Sequence, residues 1–175
     1  AGFTLVELLL AAALGLLFCG VMSQQLIGEL RQGGSLAQSL LIKGLQRRTL
    51  ALVKQDLNQA AAWQIDPSPS ADWPCSLAGR RPLLAIQPRN GSTPVVYSLG
   101  TAPSSIWQGQ VLMRCGPAFD LNGRSRPGST FQNRVVLDAV ETFGISQPDG
   151  LPLLKLDLNQ RLPGKDRLVS SSGVG

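Results

Sequence analysis

Residues 8–22 read LLLAAALGLLFCGVM, without a charged or strongly polar side chain, and Glu7 stands directly before them. Residues 3–22 form a stretch long enough to cross a bilayer at ~1.5 Å per residue. A secretory signal peptide would have a basic start and a small-residue cleavage site, and neither is present. A fully buried helix of a soluble core is the remaining alternative. Beyond the apolar run, Leu26, Ile27 and Leu30 alternate with polar residues. Leu36, Leu40, Leu41 and Leu45 follow, and then Leu50, Val53, Leu57, Ala60 and Ala61. The spacing in that last group gives one apolar face of an amphipathic helix. No proline occurs within residues 1–65, so the pattern predicts a helix of roughly 60 residues, ~90 Å long. Gly20, Gly28 and the Gly33-Gly34 pair are its expected points of bending or local melting.

The texture changes at Asp66-Pro67-Ser68-Pro69-Ser70, where prolines end the helix. Short apolar runs then alternate with turn signals. Strands are expected around residues 83–86, 95–99, 111–113 and 154–158, with Asn90-Gly91 as a tight turn and Asp149-Gly150 as another. Leu154, Leu156 and Leu158 alternate with Lys155 and Asp157, the period of a half-buried strand. Residues 135–145 read either as a helical turn or as a strand. Residues 167–169 read as a last edge strand, and residues 170–175 as a flexible tail. The expected design is α+β: a long N-terminal transmembrane and amphipathic helix packed on a small antiparallel β-sheet head. Its segments are 1–2, 3–25 (transmembrane), 26–65 (amphipathic helix), 66–75 (linker), 76–169 (β-rich head) and 170–175 (tail). Only about 100 residues follow the linker, so the helix must supply one wall of the core.

Composition narrows the chemistry. The 175 residues are 43% hydrophobic and only 15% charged, too apolar for a disordered chain. Three cysteines in this length do not make a disulfide-framework toxin. Histidine is absent, which removes Ser-His-Asp and Cys-His catalysis and histidine-ligated zinc. No phosphate-cradling loop, nucleophile elbow or carboxylate cluster is present. An enzyme is therefore not expected, nor a cofactor or a metal. Asp120-Leu121-Asn122-Gly123 begins like a calcium loop, but Arg124 occupies the next ligand position, and a turn is the better reading. The net charge of +5 permits contact with anionic partners without requiring it. Lys43, Arg47 and Arg48 read as a solvated helix face. Arg80, Arg81, Arg89, Arg124, Arg126 and Arg134 give the head a positive surface, with no regular aromatic spacing to make it a nucleic-acid module. Trp63, Trp73 and Trp107 read as packing residues.

A carboxylate at the edge of an apolar span is a functional candidate by default. Glu7 has no Lys or Arg near it on the same helix. Either it pairs with a cation from elsewhere, or it interacts with the start of its own helix.

Ala1-Gly2-Phe3-Thr4-Leu5-Val6-Glu7 followed by the apolar run resembles the processing site of the type IV pilin family, through Gly2, Phe3, Thr4, Leu5 and Glu7. The resemblance implies cleavage after Gly2 by the prepilin peptidase, following a short basic leader, and N-methylation of Phe3. It implies that Glu7 pairs with the N-terminus of an adjacent subunit during assembly. It also implies a single-pass protein of the bacterial inner membrane with its head in the periplasm, later incorporated in a pilus or pseudopilus. Expected partners are other minor and major pilins, the peptidase, the assembly platform and the lipid bilayer. DNA is a further partner that no motif supports. Many major pilins carry a proline where Gln24 stands here. The stretch Leu52-Val53-Lys54-Gln55-Asp56-Leu57-Asn58-Gln59-Ala60 and the Tyr97-Ser98-Leu99 centre resemble two subfamilies, the PilW-type minor pilins and the J-type minor pseudopilins of type II secretion. The first implies a subunit that initiates or caps a pilus for adhesion, motility or DNA uptake. The second implies a secretion pseudopilus. A membrane-anchored adhesin or DNA receptor outside any filament is the competing class.

On the oxidising side of that membrane, Cys75 and Cys115 would form a disulfide closing a loop of about 40 residues, worth roughly 3–4 kcal/mol. Two buried free thiols are the alternative. Cys19 lies in the apolar run and reads as a small packing residue.

Overall fold

The computed structural model describes residues 4–91, 93–119, 128–161 and 168–175, and the side chains of all of these except 25–33 and 35. Two compact units are present, Ala1–Leu41 and Ile42–Gly175. One helix, α1 (Leu5–Asn58), runs through both. Among the described residues seven strands follow: β1 (Ala60–Ile65), β2 (Arg81–Pro88), β3 (Val95–Thr101), β4 (Gln110–Pro117), β5 (Phe131–Ser146), β6 (Lys155–Arg161) and β7 (Leu168–Val174).

In the first unit, the helix carries a span at Leu5–Gln24 with mean hydropathy 2.4, long and apolar enough to cross a membrane, none of it buried in the protein. The helix assignment is unbroken through Gly20, Gly28, Gly33 and Gly34, so the expected local melting is absent.

The second unit joins the C-terminal part of α1 to a single antiparallel sheet in the order β1-β2-β3-β4-β5-β6-β7. This corrects the expectation of a small pilin-type head: the sheet is a seven-stranded meander curled into a half-barrel. Every strand pairs with its neighbour in sequence, so each connection is a hairpin of some length. The curl has a local source in β5, a 16-residue strand whose register slips against β4 near Leu112 and against β6 after Val140. Ala139, at φ 50°, sits in the left-handed region beside that irregularity. An extra residue on one strand bends it and sharpens its twist.

Two boundaries differ from the sequence reading. The helix ends at Asn58 rather than residue 65, and residues 60–65 form β1. Ala60, Ala61 and Ala62 favour helix intrinsically, but pairing of Trp63 with Ile86 and of Ile65 with Leu84 overrides that preference. Trp63 and Ile65 pack on the core while Gln64 faces solvent, the alternation of a strand. The expected flexible tail is β7, paired residue for residue with β6, and Gly175 exchanges two 2.9 Å backbone hydrogen bonds with Leu154. The ambiguous stretch 135–145 is strand throughout.

Leu50, Val53 and Leu57 of α1 pack into the concave side of the sheet against Val95, Leu112, Val140, Phe143, Leu156 and Leu158. The upstream leucines at 36, 40 and 41 are instead exposed. Gln46 and Thr49 share the buried face of α1. The Gln46 amide donates to the Val169 carbonyl at 2.8 Å and its oxygen accepts from Ser171 Oγ at 2.7 Å, fixing β7 along the helix. The central strand β4 is buried on both faces. On its outer side the connection of residues 66–80 is tethered by Cys75 to Cys115 and by Asn133 Nδ2 donating to the Ser76 carbonyl at 2.9 Å.

Candidate functional site

Two places concentrate polar chemistry: the first turn of α1 and the junction of α1 with β3 and β4.

At the first turn, Gly2 and Phe3 lie outside the described residues. Thr4 and Glu7 are described, and they form a reciprocal cap. The Thr4 backbone N–H and hydroxyl both donate to Glu7 Oε2, at 3.1 and 3.0 Å, and the Glu7 N–H donates to Thr4 Oγ1 at 3.4 Å. This is a capping box, a Thr-x-x-Glu arrangement that satisfies helix-end N–H groups which have no partner within the helix. Its signal, Thr4-Leu5-Val6-Glu7, was present in the sequence. Within the single chain the carboxylate is thus held by its own helix start, and among the described residues no cation forms an ion pair with it. One oxygen, Oε2, carries both contacts to Thr4, and Glu7 is exposed.

At the junction, three side chains from three elements meet in the interior. Asp56 comes from the last two turns of α1, Tyr97 from β3 and Arg114 from β4. Arg114 Nε donates to Asp56 Oδ2 at 2.7 Å and Nη2 donates to Oδ1 at 2.9 Å, a two-point fork. The Tyr97 hydroxyl donates to Asp56 Oδ2 at 2.6 Å. Side-chain exposure is 3% for Arg114 and 5% for Asp56, so this ion pair is out of water. Arg114 Nη1 donates to the Pro117 carbonyl at 3.2 Å, and its guanidinium carbon lies 4.6 Å from the centre of the Phe119 ring. Gly116 permits this arrangement, because a Cβ there would come 2.5 Å from Arg114 Nη1.

The electrostatics follow from the burial. Desolvation works against the charge on Arg114, but the hydrogen bonds and negative charge of Asp56 outweigh it and hold the guanidinium pKa above its ordinary value. Burial first, and the Asp56 charge second, push the Tyr97 hydroxyl well above its ordinary 10.0. Tyr97 is therefore a fixed donor and Arg114 a fixed cation. Both Asp56 carboxylate oxygens accept hydrogen bonds within the cluster. The cluster acts as a latch between helix and sheet. Sequence reading singled out the segments carrying Asp56 and Tyr97 without joining them, and it missed Arg114. The available signal was a lone arginine between the apolar run Val111-Leu112-Met113 and Cys115.

The remaining candidates are dispersed. Cys75 and Cys115 form the expected disulfide, with Cα atoms 5.9 Å apart. Cys19 is a free, exposed thiol. Arg81 pairs with Asp66 at the surface, and Arg89 Nε donates to the Ala60 carbonyl. Arg80 is buried, its pKa lowered by that burial, with one nitrogen donating to the Ser76 carbonyl at 3.2 Å. Lys43, Arg47, Arg48 and Arg134 are exposed. The calcium-like stretch from Asp120, with Arg124 and Arg126, lies outside the described residues. Among the described residues no group of three or more acidic, cysteine or histidine side chains could hold a metal.

No protein-family model, curated protein or solved structure matches the chain.

Proposed function

We propose that this chain is a minor subunit of a filament of the type IV pilin class, anchored in the membrane by Leu5–Gln24 before assembly. The observation that carries this reading is the joining of three features in one helix. The Gly2-Phe3-Thr4-Leu5-x-Glu7 sequence opens an apolar span of bilayer length, and the same helix then serves as one wall of a folded head. A plain anchor has no need of that entry sequence, and a soluble core helix would bury its apolar surface.

In this reading the peptidase cuts between Gly2 and Phe3, and Phe3 is methylated. Glu7 then exchanges its cap for the N-terminal ammonium of a neighbouring subunit. Its exposed position makes that exchange inexpensive, whereas the same carboxylate left unpaired in lipid costs several kcal/mol. The subunit initiates or caps a pilus. The seven-stranded half-barrel differs from the small head of the resemblance, so the proposal stands on the helix rather than on the sheet.

Two substitutions separate the possible duties of Glu7. Glu7→Gln keeps a side chain suited to the capping box and removes the charge. Thr4→Ala removes the box and keeps the charge. The filament reading expects Glu7→Gln to insert in the membrane normally and fail to enter sheared filaments, with Thr4→Ala entering them. Equal behaviour of the two variants would reduce Glu7 to a helix cap and sink the assembly role. In a strain lacking the gene, loss of surface filaments with normal protein secretion is expected. Intact filaments with trapped exoproteins would instead mean a type II secretion pseudopilus.

A further inference from the structure

Beside the latch, the outer flank of α1 and strands β4 and β5 enclose an open groove of ≈ 590 Å³. Leu45, Arg48 and Leu52 line it from the helix, Arg134 and Val136 from β5, and Phe119 from just beyond β4. The helix positions follow a three-to-four residue spacing, so one helix face forms the wall. Arg114 also reaches the groove, but Asp56 already takes its charge. Arg48 and Arg134 are exposed, and no described carboxylate lies within ion-pair distance of either. Among the described residues no acidic side chain lines the groove. It is a trough with aliphatic walls bearing two guanidiniums that have no counter-charge among the described residues.

That combination selects its occupant. Aliphatic walls reward burial of apolar side chains, and guanidiniums recognise carboxylates through a two-point fork. A second copy of this chain fits poorly, because it is basic overall at +5. Four of its 11 acidic residues, Asp56, Asp66, Glu141 and Asp157, are also already paired with Arg114, Arg81, Arg161 and Lys155. We propose that the groove docks an acidic amphipathic segment of a different protein. Its carboxylates pair with Arg48 and Arg134, and its aliphatic side chains lie on Leu45, Leu52 and Val136. This is the helix-in-groove mode of recognition, read by charge at the rim and by shape on the floor. It invokes no residue of Ala1–Leu41 and stands apart from the filament reading.

The test uses the full chain in uncharged detergent micelles. The probes are a fluorescein-labelled helical peptide of Leu and Glu at helical spacing, its twin with Lys for Glu, and a labelled oligothymidine. Fluorescence anisotropy should show binding of the acidic peptide and not of its lysine twin. The double variant Arg48→Glu/Arg134→Glu should bind the acidic peptide at least about tenfold more weakly and gain binding to the lysine twin. Arg48→Gln/Arg134→Gln, which removes the charges without reversing them, should weaken the acidic peptide and gain nothing. Leu52→Asp should weaken it as well. Binding of the acidic peptide that survives both double variants overturns the proposal, as does absence of binding. Tighter binding of oligothymidine than of peptide, lost in the double variants, overturns it in favour of a nucleic-acid surface. An unchanged urea midpoint in each variant shows that the latch is intact.

Discussion

Replacing Asp56 by alanine tests the latch directly. The substitution leaves the Arg114 guanidinium in a site where its side chain is 3% exposed, faced among the described residues by the Pro117 carbonyl, the Phe119 ring and the Tyr97 hydroxyl. It also strips the Tyr97 hydroxyl of its acceptor. Breaking a buried ion pair from one side costs about 3–5 kcal/mol, and an orphaned buried hydroxyl about 1–3 kcal/mol. The two losses share one carboxylate and do not add. The surviving Pro117 and Phe119 contacts favour the low end, so we expect about 3–4 kcal/mol, a large part of the roughly 5–15 kcal/mol that stabilises a domain. Urea unfolding followed by tryptophan fluorescence measures it, because Trp63, Trp73 and Trp107 all belong to the folded head. Tyr97→Phe should cost less, about 1–2 kcal/mol, since Asp56 keeps both contacts to Arg114. The decisive variant is the apolar triple Asp56→Leu/Tyr97→Phe/Arg114→Met. It removes all the buried charge together and should recover most of the stability lost in Asp56→Ala. A cost below about 1 kcal/mol for Asp56→Ala, or a triple variant less stable than the single one, would refute the account of a desolvated, mutually dependent cluster.

Three further outcomes are expected. Tyr97 is the only tyrosine, so absorbance at 295 nm reports its ionisation alone. Its folded pKa is raised above 10.0, so its contribution to stability is complete below that value and is lost as pH rises through the folded pKa; the tyrosinate band should appear together with unfolding, above pH 10.0. Gly116→Ala should destabilise by about 1–3 kcal/mol by displacing the guanidinium, and by clearly less in an Arg114→Met background, as a double-mutant cycle would show. Replacing Cys75 and Cys115 with serine should cost roughly 3–4 kcal/mol for a 40-residue separation, with the largest gain in amide exchange across residues 66–80.

What could be read from the sequence depended on whether the controlling interaction was local. The span at Leu5–Gln24, the turn at Asn90-Gly91 and the alternating strand at Leu154, Leu156 and Leu158 all declare themselves within a few residues, and all are present. The Cys75–Cys115 pairing was also reachable, because only one cysteine lies in the apolar run. Features set at long range were lost. Ala60, Ala61 and Ala62 look helical until β2 supplies a partner for Trp63 and Ile65. The serines of β7 look like a frayed end until β6 and Gln46 engage them. Asp56 reads as a solvent-facing residue of an amphipathic helix, since nothing within reach of it in sequence announces Arg114 or Tyr97. Glu7 is the opposite case. Its partner Thr4 lies three residues away, and contact with its own helix start is one of the two readings its sequence leaves open.

The meander order has a consequence in time. Each strand finds its hydrogen-bond partner in the strand just made, so the sheet can grow hairpin by hairpin as the chain is synthesised. The helix cannot finish on that schedule. Asp56 waits 41 residues for Tyr97 and 58 for Arg114, and Gln46 waits 123 residues for Val169. At about 5–20 residues per second, that last interval is roughly 6–25 s. Throughout it Leu50, Val53 and Leu57 have no complete sheet to cover them. The helical wall of the core is thus made before the sheet and enclosed only when the sheet is complete, and an interruption of synthesis before β7 would leave a finished helix beside an unsealed core.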